Sequence, residues 1–113
     1  MANNVKNDSL LFLWHALATI VGDYSQDQEI VIDEPGDLFV KTRNGRPFAR
    51  VRIQKKHVGL YLLPMYYFPD VVPQELSDNK SGKGTLRFQK NDKYTEAKLI
   101  ILIENCLAVI GYY

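Results

Sequence analysis

The run Lys80-Ser81-Gly82-Lys83-Gly84-Thr85-Leu86-Arg87-Phe88 collects residue types suited to holding an anion. Glycines leave backbone N–H groups open to a ligand, and two lysines stand beside them. It is not a Walker A loop. That motif needs Gly-x-x-x-x-Gly-Lys-Ser/Thr ahead of a helix, whereas here Gly84 separates Lys83 from Thr85 and a strand-like segment follows. The plainer reading is a solvated turn whose glycines supply unusual backbone angles. A second basic concentration lies between 41 and 57. Lys41, Arg43, Arg46, Arg50, Arg52, Lys55 and Lys56 make up half of the 14 Lys and Arg residues, with no acid among them. If Arg50 and Arg52 share a sheet face with Arg87, the three could meet an anion, although the wet face of an antiparallel sheet is polar in any case. Lys80, Lys83, Arg87, Arg50, Arg52 and Tyr61 are therefore the candidate residues for a small anionic or aromatic ligand.

The acidic counterpart is Asp23, Asp27, Glu29, Asp33, Glu34 and Asp37, a belt without Lys or Arg. Hard cations take carboxylate oxygens, so these six are the candidates for weak binding of iron or calcium. An EF-hand is excluded, because no Asp-x-Asp-x-Asp run with a closing Glu is present. The belt could instead pair with the basic hairpin inside the fold. His15 lies in an apolar stretch and reads as a core or cleft residue; His57 reads as an exposed turn residue. Cys106 reads as an inert thiol on an apolar helix face. Ser9, Ser25, Ser77 and Ser81 lie in no Gly-x-Ser-x-Gly context. No nucleophile, base and orienting group can be assembled, so the expectation is a domain that is not an enzyme and needs no cofactor. Tyr61, Tyr66, Tyr67 and Phe68 would floor an apolar pocket with hydroxyl tips, or simply cover the sheet edge.

Composition bounds these readings. The 113 residues fit one domain, 1–113, and 46% hydrophobic residues suffice for a core. A net charge of +1 argues against a dedicated nucleic-acid binder. One cysteine permits no intrachain disulfide, and a reducing compartment is the simpler assumption. The N-terminus lacks the basic-then-apolar layout of a signal peptide, and the apolar run Leu10 to Val21 has the length of a core helix and not of a membrane span. A cytoplasmic protein without membrane partners is expected.

The elements that must position these residues follow from pattern. Asn7, Asp8 and Ser9 offer N-cap chemistry for a helix over about 10–21, apolar around most of its circumference and stopped at Gly22. Such a helix is either central or a self-association face, and a homodimer is one expected partner state. Ile30-Val31-Ile32 is a short strand, Glu34-Pro35-Gly36-Asp37 a turn, and Leu38 to Thr42 a strand. Asn44-Gly45 is the strongest hairpin signal, and Pro47 to Lys55 alternates as the return strand. Val58 to Leu63 is a buried strand ended by Pro64, and a helical turn and a short helix from Pro73 follow. Asp78 to Gly84 is a polar loop and Thr85 to Phe88 a strand. Asn91 or Asp92 would cap a final helix with Leu99, Leu102, Ile103, Cys106 and Ile110 on its apolar face, ended by Gly111.

The order Lys56-His57-Val58-Gly59-Leu60-Tyr61-Leu62-Leu63-Pro64, aromatic turn, Lys80 to Phe88 and closing helix resembles the YdhG-like domain of unknown function, over about Phe48 to Leu107. Some members of that family are described as frataxin-like iron chaperones. The resemblance implies an α+β fold, with an antiparallel sheet of about four to five strands packed against N- and C-terminal helices. It carries over no catalytic residue. An iron-chaperone role would rest on the 23–37 carboxylates. The expected function is a small binding domain with weak metal affinity, the alternatives being a binder of an anionic or aromatic ligand and a homodimeric interaction module.

Overall fold

The structure, a computed structural model, describes residues 2–90, 92–94 and 96–113, with side chains described from Leu10 onward. Helix α1 (Ala2–Tyr24) leads into strands β1 (Glu29–Glu34), β2 (Asp37–Lys41), β3 (Pro47–Gln54) and β4 (His57–Leu62). A short helix α2 (Leu63–Tyr67) and two 3-10 turns (Pro69–Val71 and Gln74–Asn79) follow. The chain closes with β5 (Lys80–Gly82), β6 (Thr85–Gln89) and α3 (Glu96–Ala108). The strands form one antiparallel sheet in the order β1-β2-β3-β4-β6-β5. Leu38, Val40, Val51, Val58, Leu60, Leu62, Leu86 and Phe88 are buried in the sheet. They share one core with Leu17 and Val21 of α1 and Leu99, Leu102, Ile103 and Cys106 of α3. The expected α+β class is therefore observed, and one strand beyond the expected range appears. The polar run at Lys80 pairs with β6 because Lys80 and Gly82 stand opposite Leu86 and Thr85, with a bulge between them.

Several boundaries move. The backbone is already helical at Asn7, Asp8 and Ser9, so they are not the N-cap, and Gly22 lies within α1 and not at its end. Trp14 fixes α1 on the sheet: its Nε1–H donates to the Val51 carbonyl at 2.8 Å in the buried interior. The Asn44-Gly45 hairpin forms, but only Gly45 takes a positive φ, +82°. The Arg46 N–H donates to Thr42 Oγ1, and the Thr42 N–H donates to the Arg46 carbonyl, which makes the loop wider than a two-residue turn. Pro64 opens α2 instead of only ending β4, as its missing N–H suits a first turn. The expected cap at Asn91 lies outside the described residues. Asp92 does not cap α3 but accepts from the Gln89 N–H at 2.8 Å. Helix α3 ends at Ala108, so Ile110 lies beyond it, and Gly111 takes φ +99° in the turn that follows and not at the helix end.

Candidate functional site

Strand alternation sends one set of side chains into the core and the other to the opposite, uncovered face. Register arranges that open face in rows across the sheet. Phe39, Arg50, Tyr61 and Thr85 stand opposite one another across β2, β3, β4 and β6. The next row is Asp37, Arg52, Gly59 and Arg87, and the third holds Gln54, His57 and Gln89. Arg50, Arg52 and Arg87 thus do share a face, as the sequence allowed.

A cleft of about 490 Å³ opens at the end of the first row, where β3 and β4 meet α2 and the β5–β6 turn. Phe39, Phe48, Tyr61 and Tyr66 give it aromatic walls; Arg50, Lys83 and Thr85 give it polar groups. Lys83 Nζ stands 5.8 Å from the Tyr66 ring centroid, within cation–π range. Gly84 lies close against this wall. A Cβ on Gly84 would stand 3.4 Å from both the Leu62 carbonyl oxygen and Tyr66 Cβ, and the Gly84 carbonyl accepts from the Leu62 N–H.

Arg50 is committed to Asp37. Its Nε and Nη2 donate to the two carboxylate oxygens at 2.9 and 2.6 Å, and its guanidinium lies 5.2 Å from the Phe39 ring centroid. The Asp37 hydrogen bond raises the Arg50 pKa above its ordinary value, against the lowering effect of burial. Tyr61 is held from the other side. Gln54 Nε2 donates to its hydroxyl at 2.6 Å, while Gln54 Oε1 lies 2.9 Å from His57 Nε2. His57 is half-buried at the start of β4, not an exposed turn residue. Burial first, and the Arg87 charge second, push its pKa below the usual histidine range.

Of the six residues expected to hold a ligand, Arg50, Tyr61 and Lys83 line the cleft. Arg52 and Arg87 lie in the adjoining row, and Lys80 is exposed on β5 at the sheet edge. The six carboxylates expected to hold a metal are not gathered. Asp23 is in α1, Asp27 in the following turn, Glu29, Asp33 and Glu34 on β1, and Asp37 is paired with Arg50. Among the described residues no group of three His, Cys, Asp or Glu is placed to hold a metal ion. Pairing between belt and basic hairpin is seen at Asp37–Arg50 and where Arg43 Nε donates to the Asp27 carbonyl. Phe39, Phe48, Gln54 and Thr85 were not candidates from sequence; their alternation marks only an apolar or polar strand position.

A second cleft of about 530 Å³ lies beside α1, lined by Leu11, Phe12, Trp14, His15, Asp33 and Glu34. His15 is thus an exposed cleft residue and not a core one. This cleft is apolar with carboxylates at its rim. The sheet-face cleft is the better candidate because its aromatic walls and several convergent polar groups match a ligand site. Cys106 is buried, and burial pushes its thiol up to about 12, which keeps it in the unreactive protonated form. No helix among the described residues is long and apolar enough to cross a membrane.

No protein-family model matches the chain, and no curated protein matches it. Among solved structures, it is similar to a DUF1801-family protein, YdhG, from Bacillus subtilis, with a TM-score of 0.57 and 14% identity, over 82% of this chain and 74% of that one. At that identity the likeness is one of fold, and the chain has a YdhG-like α+β fold.

Proposed function

We propose that this domain is a non-enzymatic binder of a small organic anion with a planar apolar body, taken into the cleft between Arg50, Tyr61, Tyr66 and Lys83. One observation supports it above the others: an aromatic-walled cleft of about 490 Å³, within the usual range for small-molecule sites, has a lysine and an arginine at its wall. The aromatic rings would stack on the ligand body, and Lys83 would meet its charge. Among the described residues the ion pairs within 4.0 Å are Arg50–Asp37 and Lys98–Glu75, so Lys83 has its charge available for a ligand. The carboxylates of residues 23–37 offer no comparable gathering of donors, so weak iron binding is the lesser proposal. Benzoate titrated into the 15N-labelled protein tests the cleft reading. Saturable shifts at Phe39, Arg50, residues 61–66 and residues 83–85, weakened severalfold or more in Lys83→Ala, are expected, and a flat titration would remove the reading.

A second reading is self-association through α1. Phe12 supports it, standing 79% exposed on that helix beside the second cleft. Light scattering that gives a constant monomer mass across concentrations would rule this out.

A further inference from the structure

We infer that the ligand carries two anionic groups, and that the second is received by Arg52 and Arg87 beside the Tyr61 hydroxyl. This rests on the cleft reading and names the ligand class more closely. Gly59 stands opposite Arg52 on one side and opposite Arg87 on the other, so the two arginines flank it on the open face. Both are exposed. Asp37 is the acid in the same row, and its carboxylate is taken up by Arg50. Among the described residues neither Arg52 nor Arg87 has an ion-pair partner within 4.0 Å. Two like charges are therefore held one strand either side of a glycine that the Tyr61 ring covers, and the Arg87 charge also opposes protonation of His57. An anion placed between them can accept guanidinium N–H bonds from both sides.

The surface between this row and the cleft is the Tyr61 ring. A Cβ at position 59 would lie 2.9 Å from Tyr61 Cε2 and 3.1 Å from its hydroxyl oxygen, so the ring leans from the first row over Gly59. Gln54 Nε2 donates to that oxygen, which leaves the hydroxyl proton free to be donated to a ligand. The rows are two residues apart along β4, a separation of about 6.6 Å. A flat body lying on Tyr61 would then place one anionic end by Lys83 and the other between Arg52 and Arg87. The class is an elongated, planar dianion, such as an aromatic dicarboxylate or a carboxylate joined to a phosphate.

The test compares benzoate with terephthalate, whose second carboxylate lies across the ring, on the full chain by calorimetry at fixed ionic strength. Terephthalate is expected to bind about tenfold or more tightly than benzoate, the worth of one charge-assisted hydrogen bond. That ratio should fall toward one in the Arg52→Gln/Arg87→Gln double variant and persist in Lys55→Gln/Lys56→Gln, which removes the same charge from the neighbouring turn. Benzoate and terephthalate binding equally would overturn the inference while leaving the cleft reading in place. So would a ratio lowered as much by the lysine pair as by the arginine pair. Binding of neither anion would remove both.

Discussion

Tyr61 lies over Gly59, so close that a methyl group at position 59 would stand 2.9 Å from Tyr61 Cε2. Gly59 thus serves neither a turn nor a left-handed backbone; it makes room for a ring on the sheet's open face. Gly59→Ala should push that ring off Gln54 while keeping the fold, at a cost of about 1 kcal/mol in urea denaturation. The Gln54 side-chain amide resonances would move and benzoate affinity would fall. Unchanged Gln54 resonances would show that the ring does not depend on the glycine.

Asp37 holds Arg50 through two hydrogen bonds, in a pair whose side chains are 18% and 30% exposed. Partial exposure limits its worth, so Asp37→Asn should cost up to about 1 kcal/mol in a urea melt. It also releases the Arg50 charge beside the cleft. Anion affinity should therefore rise, and a fall would mean that Asp37 positions Arg50 for the ligand instead of competing with it.

His57 has a folded-state pKa below its ordinary value, first through burial and then through Arg87. As pH falls, the unfolded chain takes up this proton before the folded one does, so stability drops with falling pH. The loss begins near the ordinary histidine pKa of about 6.5 and levels off once the folded protein is protonated too. His57→Gln should flatten this part of the stability–pH curve. An anion bound at Arg87 should raise the His57 pKa, read from its ring proton shifts with and without terephthalate.

Trp14 donates a buried hydrogen bond to the Val51 carbonyl at 2.8 Å and so ties α1 to the central strand. Trp14→Phe keeps a large ring but removes the donor. The expected loss is about 1–3 kcal/mol, by urea denaturation, because a buried acceptor is left short of a partner. A neutral substitution would show that α1 is held by apolar packing alone.

The fold was largely legible because its cues are local. Pro47 to Lys55 alternates cleanly, Asn44-Gly45 marks the hairpin, and the α3 stripe of Leu99, Leu102, Ile103 and Cys106 repeats at helical spacing. Strand β5 escaped because three small or polar residues carry no alternation; only pairing with β6 makes them a strand. The start of α1 was misplaced because polar residues that favour caps also occur within helices. Half of the cleft's named candidates, Arg50, Tyr61 and Lys83, could be read from charge and aromaticity. Phe48 and Gln54 could not, since their roles come from what lies across the sheet. Likewise the spacing of the 23–37 acids along the chain says nothing of their separation in space, and Asp37 turns out to be an arginine partner.

The cleft is the central claim, and the benzoate titration of the 15N-labelled protein tests it most directly. The expected result is a saturable set of shifts confined to Phe39, Arg50, residues 61–66 and residues 83–85, weakened severalfold or more in Lys83→Ala. Shifts that are absent, that fail to saturate, or that centre on β1 and α1 and ignore the Lys83 substitution would contradict it.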